Sequence, residues 1–139
     1  MGVIKDIRGR VIDHEGYSAT VYKDINGFDT IAHGKRIDYM DISEDIAGLI
    51  MDDDLNKILI NCYQNFSWFR DQPRPAKGVI VEMIYQLGMT GFQKFKKTIA
   101  FLKAKDYKSA AVEMMDSQWG RIHLKRAKIL RNIIKACNK

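Results

Sequence analysis

HEGYSATVYKDINGFDTIAHGK (residues 14–35) is the stretch on which the reading of the chain turns. At its centre, Asn26-Gly27 is the strongest short-range signal for a β-hairpin. It lies between two runs rich in Val, Tyr, Ile, Thr and Phe, residues 19–24 and 28–33. Upstream, Val3, Ile4, Ile7, Val11 and Ile12 recur at helical spacing, so residues 3–14 are predicted to form an amphipathic helix that Gly16 terminates. Glu15 then falls in the last turn, a position the helix dipole disfavours for a carboxylate. Eight residues separate Glu15 from Asp24, and five separate Asp24 from Thr30.

These three side chains form either a polar hairpin following a helix or a chemically active set. Glycosidic bond cleavage needs one acid to protonate the leaving oxygen and a second group to assist water or form a covalent intermediate. Two carboxylates in unlike environments serve this well, a partly buried one holding its proton and a solvated one staying charged. Glu15, at a helix end beside apolar strands, suits the first role and Asp24, beside the turn, suits the second. Thr30 adds a hydroxyl that can hold water. An Asp in a turn also has its own local hydrogen-bonding reasons, so spacing alone leaves both readings open.

The hairpin loop length bears on the choice. A two-residue loop would pair Asp24 with Asp29 and Thr30 with Lys23, sending Asp24 and Thr30 to opposite faces of the sheet. A three-residue bulged loop would pair Thr30 with Tyr22 and bring both onto one face. Catalysis demands the irregular turn.

After Lys35 the chain is expected to turn helical. Asp41 and Glu44 resemble a capping box around Ile42, and Leu55, Ile58, Leu59 and Cys62 form one apolar stripe of a linking helix over about residues 52–66. The proline pair in Asp71-Gln72-Pro73-Arg74-Pro75 marks the clearest break. Beyond it the reading is helical throughout. Helices are expected over residues 76–87, ending at Gly88, then over 92–103 with Phe95, Ile99 and Leu102 inward. Two more follow, over 107–117 behind an Asp106 cap and over 123–136. The fold expected is α+β in a single domain. A small β-hairpin lobe (about 15–50) and a larger helical lobe (about 67–139, with the N-terminal helix) are joined by a long helix, and the active-site cleft lies between them.

At 139 residues and 46% apolar the chain can bury one sizeable core, or form two small lobes sharing a helix. No apolar run approaches the roughly 18–20 residues needed to span a bilayer, and the N-terminus has neither the h-region nor the cleavage site of a signal peptide. Cys62 and Cys137 lie far apart without a CxxC partner, which reads as free thiols in a reducing compartment. Two Cys and three scattered His do not supply a zinc site, and no metal or cofactor is expected. The net charge of +6 is uneven, with acids crowding residues 38–54 and bases dominating from Lys94 onward. A basic half favours an anionic partner, whether nucleic acid, an acidic membrane or an acidic wall polymer. Arg121, Lys125, Lys128, Arg131 and Lys135 share one helix face, read as a solvated face backing Ile122, Ile129 and Ile133. No nucleic-acid motif accompanies it.

EGYSATVYKDINGFDTIAHGK resembles the phage-type lysozymes, the muramidase endolysins of tailed bacteriophages, whose pattern is Glu, eight residues, Asp, five residues, Thr. YQLGMTGFQKF (residues 85–95) is similar to the family's aromatic-Gln-x-Gly-x-x-Gly segment. SQWGRIHLKRAK (residues 117–128) places Trp119 seven residues before Arg126-Ala127 as the family does. The resemblance implies hydrolysis of the β-1,4 bond between N-acetylmuramic acid and N-acetylglucosamine of peptidoglycan. It implies Glu15 as general acid, Asp24 and Thr30 as holders of the attacking water, and Arg126 as the cation that pairs with Glu15 and orients it. Gln86 matches a glutamine behind the catalytic glutamate, and Trp119 is expected to pack the helical lobe.

Where the family usually has Gly-x-Gly-His after Thr-Ile, this chain has Ala32-His33-Gly34-Lys35, so Lys35 takes the histidine's place. His33 is a candidate substrate contact, set against a plain surface histidine. Glu82, one turn before Gln86, would compete with Glu15 for Arg126 if it faced that cation. The expected partner is the peptidoglycan glycan strand, with no nucleic acid and no stable membrane insertion, for a monomer held in the host cytoplasm until a holin opens the way to the wall. The alternative is a lysozyme-fold protein that binds peptidoglycan with little or no catalysis.

Overall fold

The computed structural model describes residues 2–38 and 40–137. Among them run seven helices and three strands, in two compact units, Met1–Ala47 and Gly48–Lys139.

In the first unit, α1 (Gly2–Glu15) ends as predicted. Gly16 takes φ 72°, the left-handed conformation that glycine adopts freely, while its N–H still reaches the Ile12 carbonyl at 2.8 Å. Strands β1 (Ser18–Lys23), β2 (Asp29–Ala32) and β3 (Lys35–Arg36) then form an antiparallel sheet in the order β1-β2-β3. Tyr22 pairs with Thr30 and Lys23 with Asp29, which is the three-residue loop register. The turn closes through Gly27 N–H to Asp24 O and Asp24 N–H to Phe28 O, both 2.9 Å, with Gly27 at φ 82°. A second irregularity between Ser18 and Tyr22 brings Ser18 opposite Ala32. Strand β3 was not anticipated. Two residues carry no alternation to read, and pairing of Thr30 with Arg36 and Ile31 with Lys35 creates the strand. The Arg36 guanidinium lies 3.5 Å over the Phe28 ring and bonds Asp38.

The linking helix α2 (Glu44–Asn65) begins eight residues before its expected start. Ser43, rather than an Asp41–Glu44 box, caps it, its hydroxyl accepting the Ile46 N–H at 3.2 Å. Glu44 and Asp45 favour that N-terminus electrostatically, so the acidic run belongs to the helix.

Within the second unit, α3 (Arg74–Gln93) starts with proline in its first turn and is interrupted at Gly88 (φ 76°, ψ 164°), where the predicted stop falls. Helix α4 (Lys96–Lys103) begins after Phe95, later than expected. The N-cap of α5 (Tyr107–Met115) is Asp106, as predicted, its carboxylate taking the Ser109 N–H at 3.1 Å; the Ser109 side chain first, and that backbone bond second, hold its pKa below the usual value. A short α6 (Gln118–Ile122) and α7 (Leu124–Ala136) complete the unit. Val79, Ile80 and Met83 of α3, Ala110 and Met114 of α5, and Ala127, Leu130 and Ile134 of α7 build the core, with Phe69 and Phe92. The inward face of α7 is thus Ala127-Leu130-Ile134. Ile122, Ile129 and Ile133, read as backing the basic face, are exposed. Buried Gln72 ties the segment before α3 to the bundle, donating to Leu102 O and accepting from the Tyr107 hydroxyl, both at 2.9 Å.

Candidate active site

The hairpin register decides where Asp24 and Thr30 point. With Tyr22 opposite Thr30 and Asp24 bonded to Phe28, alternation puts Tyr22, Asp24, Phe28 and Thr30 on one face of the β1–β2 pair. Asp24 Oδ1 accepts the N–H groups of Asn26 and Phe28, each at 2.9 Å, and fixes both the turn and its own side chain. Among the described residues Oδ2 has no donor, so one carboxylate oxygen is held and the other is available. Thr30 is 2% exposed, and its hydroxyl donates to Phe28 O at 2.8 Å. With the hydrogen so committed, Oγ1 keeps its lone pairs for accepting a hydrogen bond.

Glu15 is the last residue of α1, and its carboxylate lies against the backbone of Gly34. A β-carbon at Gly34 would stand 2.5 Å from Oε2 and 3.0 Å from Cδ. The order of burial is the reverse of that expected: Glu15 is exposed and Asp24 half-buried. Glycine offers Glu15 no side chain to lie beneath, whereas two backbone donors draw Asp24 inward. His33, the candidate substrate contact, bonds Gly16 O through Nδ1 at 2.7 Å, and its ring lies 5.5 Å from that of Tyr17. Ala32, which stands where the family has glycine, takes φ 61°.

Glu15, Asp24, Thr30 and His33 belong to the first unit, and Gln86 and Arg126 to the second. There, Trp119 is packed at 6% exposure and donates its indole N–H to Gln86 Oε1 at 3.0 Å, in keeping with a packing role. Arg126 Nε donates to Glu82 Oε2 at 2.8 Å, so the competitor weighed from sequence is the carboxylate that holds this cation. Both lie at a groove of about 820 Å³ lined also by Leu55, Leu59, Tyr63 and Lys77. Gly34 is the residue that sequence reasoning undervalued. Its signal is its place as the second glycine of the Gly-x-Gly-His pattern.

A helix ended by glycine, a small antiparallel sheet with a bulged hairpin, and a helical bundle after them make an α+β protein of lysozyme type. The chain belongs to the phage lysozyme family, whose model matches residues 12–133. Membership implies peptidoglycan hydrolysis, a glycoside hydrolase activity. No curated protein matches the chain.

Proposed function

We propose that this chain cleaves the β-1,4 bond between N-acetylmuramic acid and N-acetylglucosamine by a single displacement that inverts the anomeric carbon. The observation that carries the reading is the three-residue hairpin loop, which aims Asp24 and Thr30 from one sheet face. A water that donates one hydrogen to Asp24 Oδ2 and the other to Thr30 Oγ1 keeps an oxygen lone pair free for attack. Glu15 gives its proton to the glycosidic oxygen as the bond from that oxygen to the anomeric carbon breaks. The water oxygen adds to the opposite face of that carbon and passes a proton to Asp24. Solvent then restores both carboxyl groups. The family pattern casts Arg126 and Gln86 as supporting residues; in this chain Arg126 is bonded to Glu82 and Gln86 to Trp119.

Support for the wall as target comes from the family and from the basic C-terminal half, which suits an acidic polymer. In the lytic cycle the protein waits in the host cytoplasm and reaches the wall through a holin-opened membrane, acting as a monomer.

The test is Glu15→Gln on permeabilised cells and isolated sacculi. Loss of general acid catalysis is expected to lower kcat by about 10²–10⁴-fold with the melting curve unchanged. Full clearing activity in that variant would sink the reading. Chemical analysis of the digest is expected to give reducing muramic acid ends; 1,6-anhydro ends would mean transglycosylation. Retention on sacculi without any released ends would favour the binding-only alternative, to which the Arg126–Glu82 pair lends weight.

A further inference from the structure

The turn joining β2 to β3 holds the end of α1 at two adjacent points. His33 Nδ1 meets the Gly16 carbonyl at 2.7 Å, and the Gly34 backbone meets the Glu15 carboxylate so closely that a β-carbon there would stand 2.5 Å from Oε2. The turn reaches this arrangement by entering the left-handed region twice, at Ala32 (φ 61°) and Gly34 (φ 76°). A non-glycine residue in that region is strained, and such strain persists where surrounding contacts over-determine it. The Tyr17 ring packs against the imidazole, 5.5 Å away and tilted 49° to it.

Glu15 is an exposed side chain followed at once by glycine, the residue with the most backbone freedom. A general acid must be within hydrogen-bond reach of the oxygen it protonates, and a misplacement of about 1 Å costs on the order of 10²-fold in rate. Something must therefore hold the peptide after Glu15. A carbonyl can only accept, so His33 Nδ1 carries the hydrogen and is the donor in this bond.

The geometry points to His33 as a positioning residue for Glu15, acting through the Gly16 carbonyl rather than by touching sugar. The inference rests on the hydrolase reading above. His33→Leu removes the donor. His33→Asn places an amide N–H close to where Nδ1–H lies and lacks the imidazole ring. On isolated sacculi, His33→Leu is expected to lower kcat about tenfold with KM within about twofold of wild type. His33→Asn is expected to recover kcat to within about threefold of wild type, since it restores the same bond. Both variants should melt as wild type does.

Wild-type kcat in His33→Leu, a raised KM with unchanged kcat, or an Asn variant no better than Leu would each overturn the proposal. Backbone NMR relaxation supplies a readout independent of turnover. The Gly16 and Tyr17 amides are expected to be ordered in wild type and His33→Asn and to gain fast motion in His33→Leu. Equal order in all three proteins would refute the clamp. A wild-type protein that releases no reducing ends while its Gly16 amide loosens in His33→Leu would refute hydrolysis and leave the clamp standing.

Discussion

Ala32 and Gly34 make opposite demands on the same turn. Both sit at positive φ, but only glycine escapes the clash between β-carbon and carbonyl oxygen that costs a non-glycine residue about 1–2 kcal/mol there. Part of any gain from Ala32→Gly is lost to the greater freedom of glycine in the unfolded chain. The net expectation is a stabilisation of about 0.5–1 kcal/mol, read from the urea midpoint. Gly34→Ala adds the same strain and sets a methyl group against Oε2 of Glu15. Because the carboxylate is the end of a flexible side chain, it swings aside, so destabilisation is expected to stay near 1–2 kcal/mol. The displaced acid should nevertheless cost at least about tenfold in kcat. A Gly34→Ala variant with full activity would mean that the carboxylate works from another position. The left-handed twist at Ala32 was not legible from sequence, since alanine gives no sign of positive φ. The family's glycine at that place was the only hint.

Helix α2 is attached to the core by little, since among its described residues Cys62 alone is fully buried, with Ile58 and Leu59 partly so. Burial pushes the Cys62 thiol up to about 11, and burial, with a smaller contribution from Cys137, also raises Tyr107. A thiol in the unfolded chain ionises near ~8.5 and a phenol near ~10. Stability present below that thiol value is therefore expected to fall as pH rises toward 11. Cys62→Ala should flatten part of the slope, leaving the share of Tyr107, as chemical denaturation across the alkaline range would record. Elements governed by local chemistry were legible: the glycine stop after Glu15, the Asn-Gly hairpin, the Asp106 cap and the break at Gly88. Those created by pairing or packing were not. Strand β3 exists through Ile31 and Thr30, and the packing of α7 turns Leu130 and Ile134 inward while equally apolar Ile129 and Ile133 stay exposed. Loop length lay between these cases. Sequence posed the two registers, and the left-handed Gly27 and the Asp24 side chain select the three-residue one.

Across the molecule, burial is divided unequally. The core is built from residues of the second unit, whereas Thr30 is the one fully buried side chain among the described residues of the first, whose Val3, Ile4 and Val21 are half or more exposed. Local opening free energies follow buried apolar contact. Amides of β1 and β2 are accordingly expected to exchange with solvent faster than those of α3, α5 and α7, and to do so by sub-global opening. Hydrogen exchange that merged all of these into one global event would contradict this. Glu15, Asp24 and Thr30 all lie in the lightly buried unit. On the proposed catalytic reading, peptidoglycan hydrolysis should therefore fade on warming below the main calorimetric transition. A saccharide fragment that occupies the hairpin face would then lengthen shelf life without moving that transition, and a stabiliser chosen by melting temperature alone would protect the wrong half of the chain.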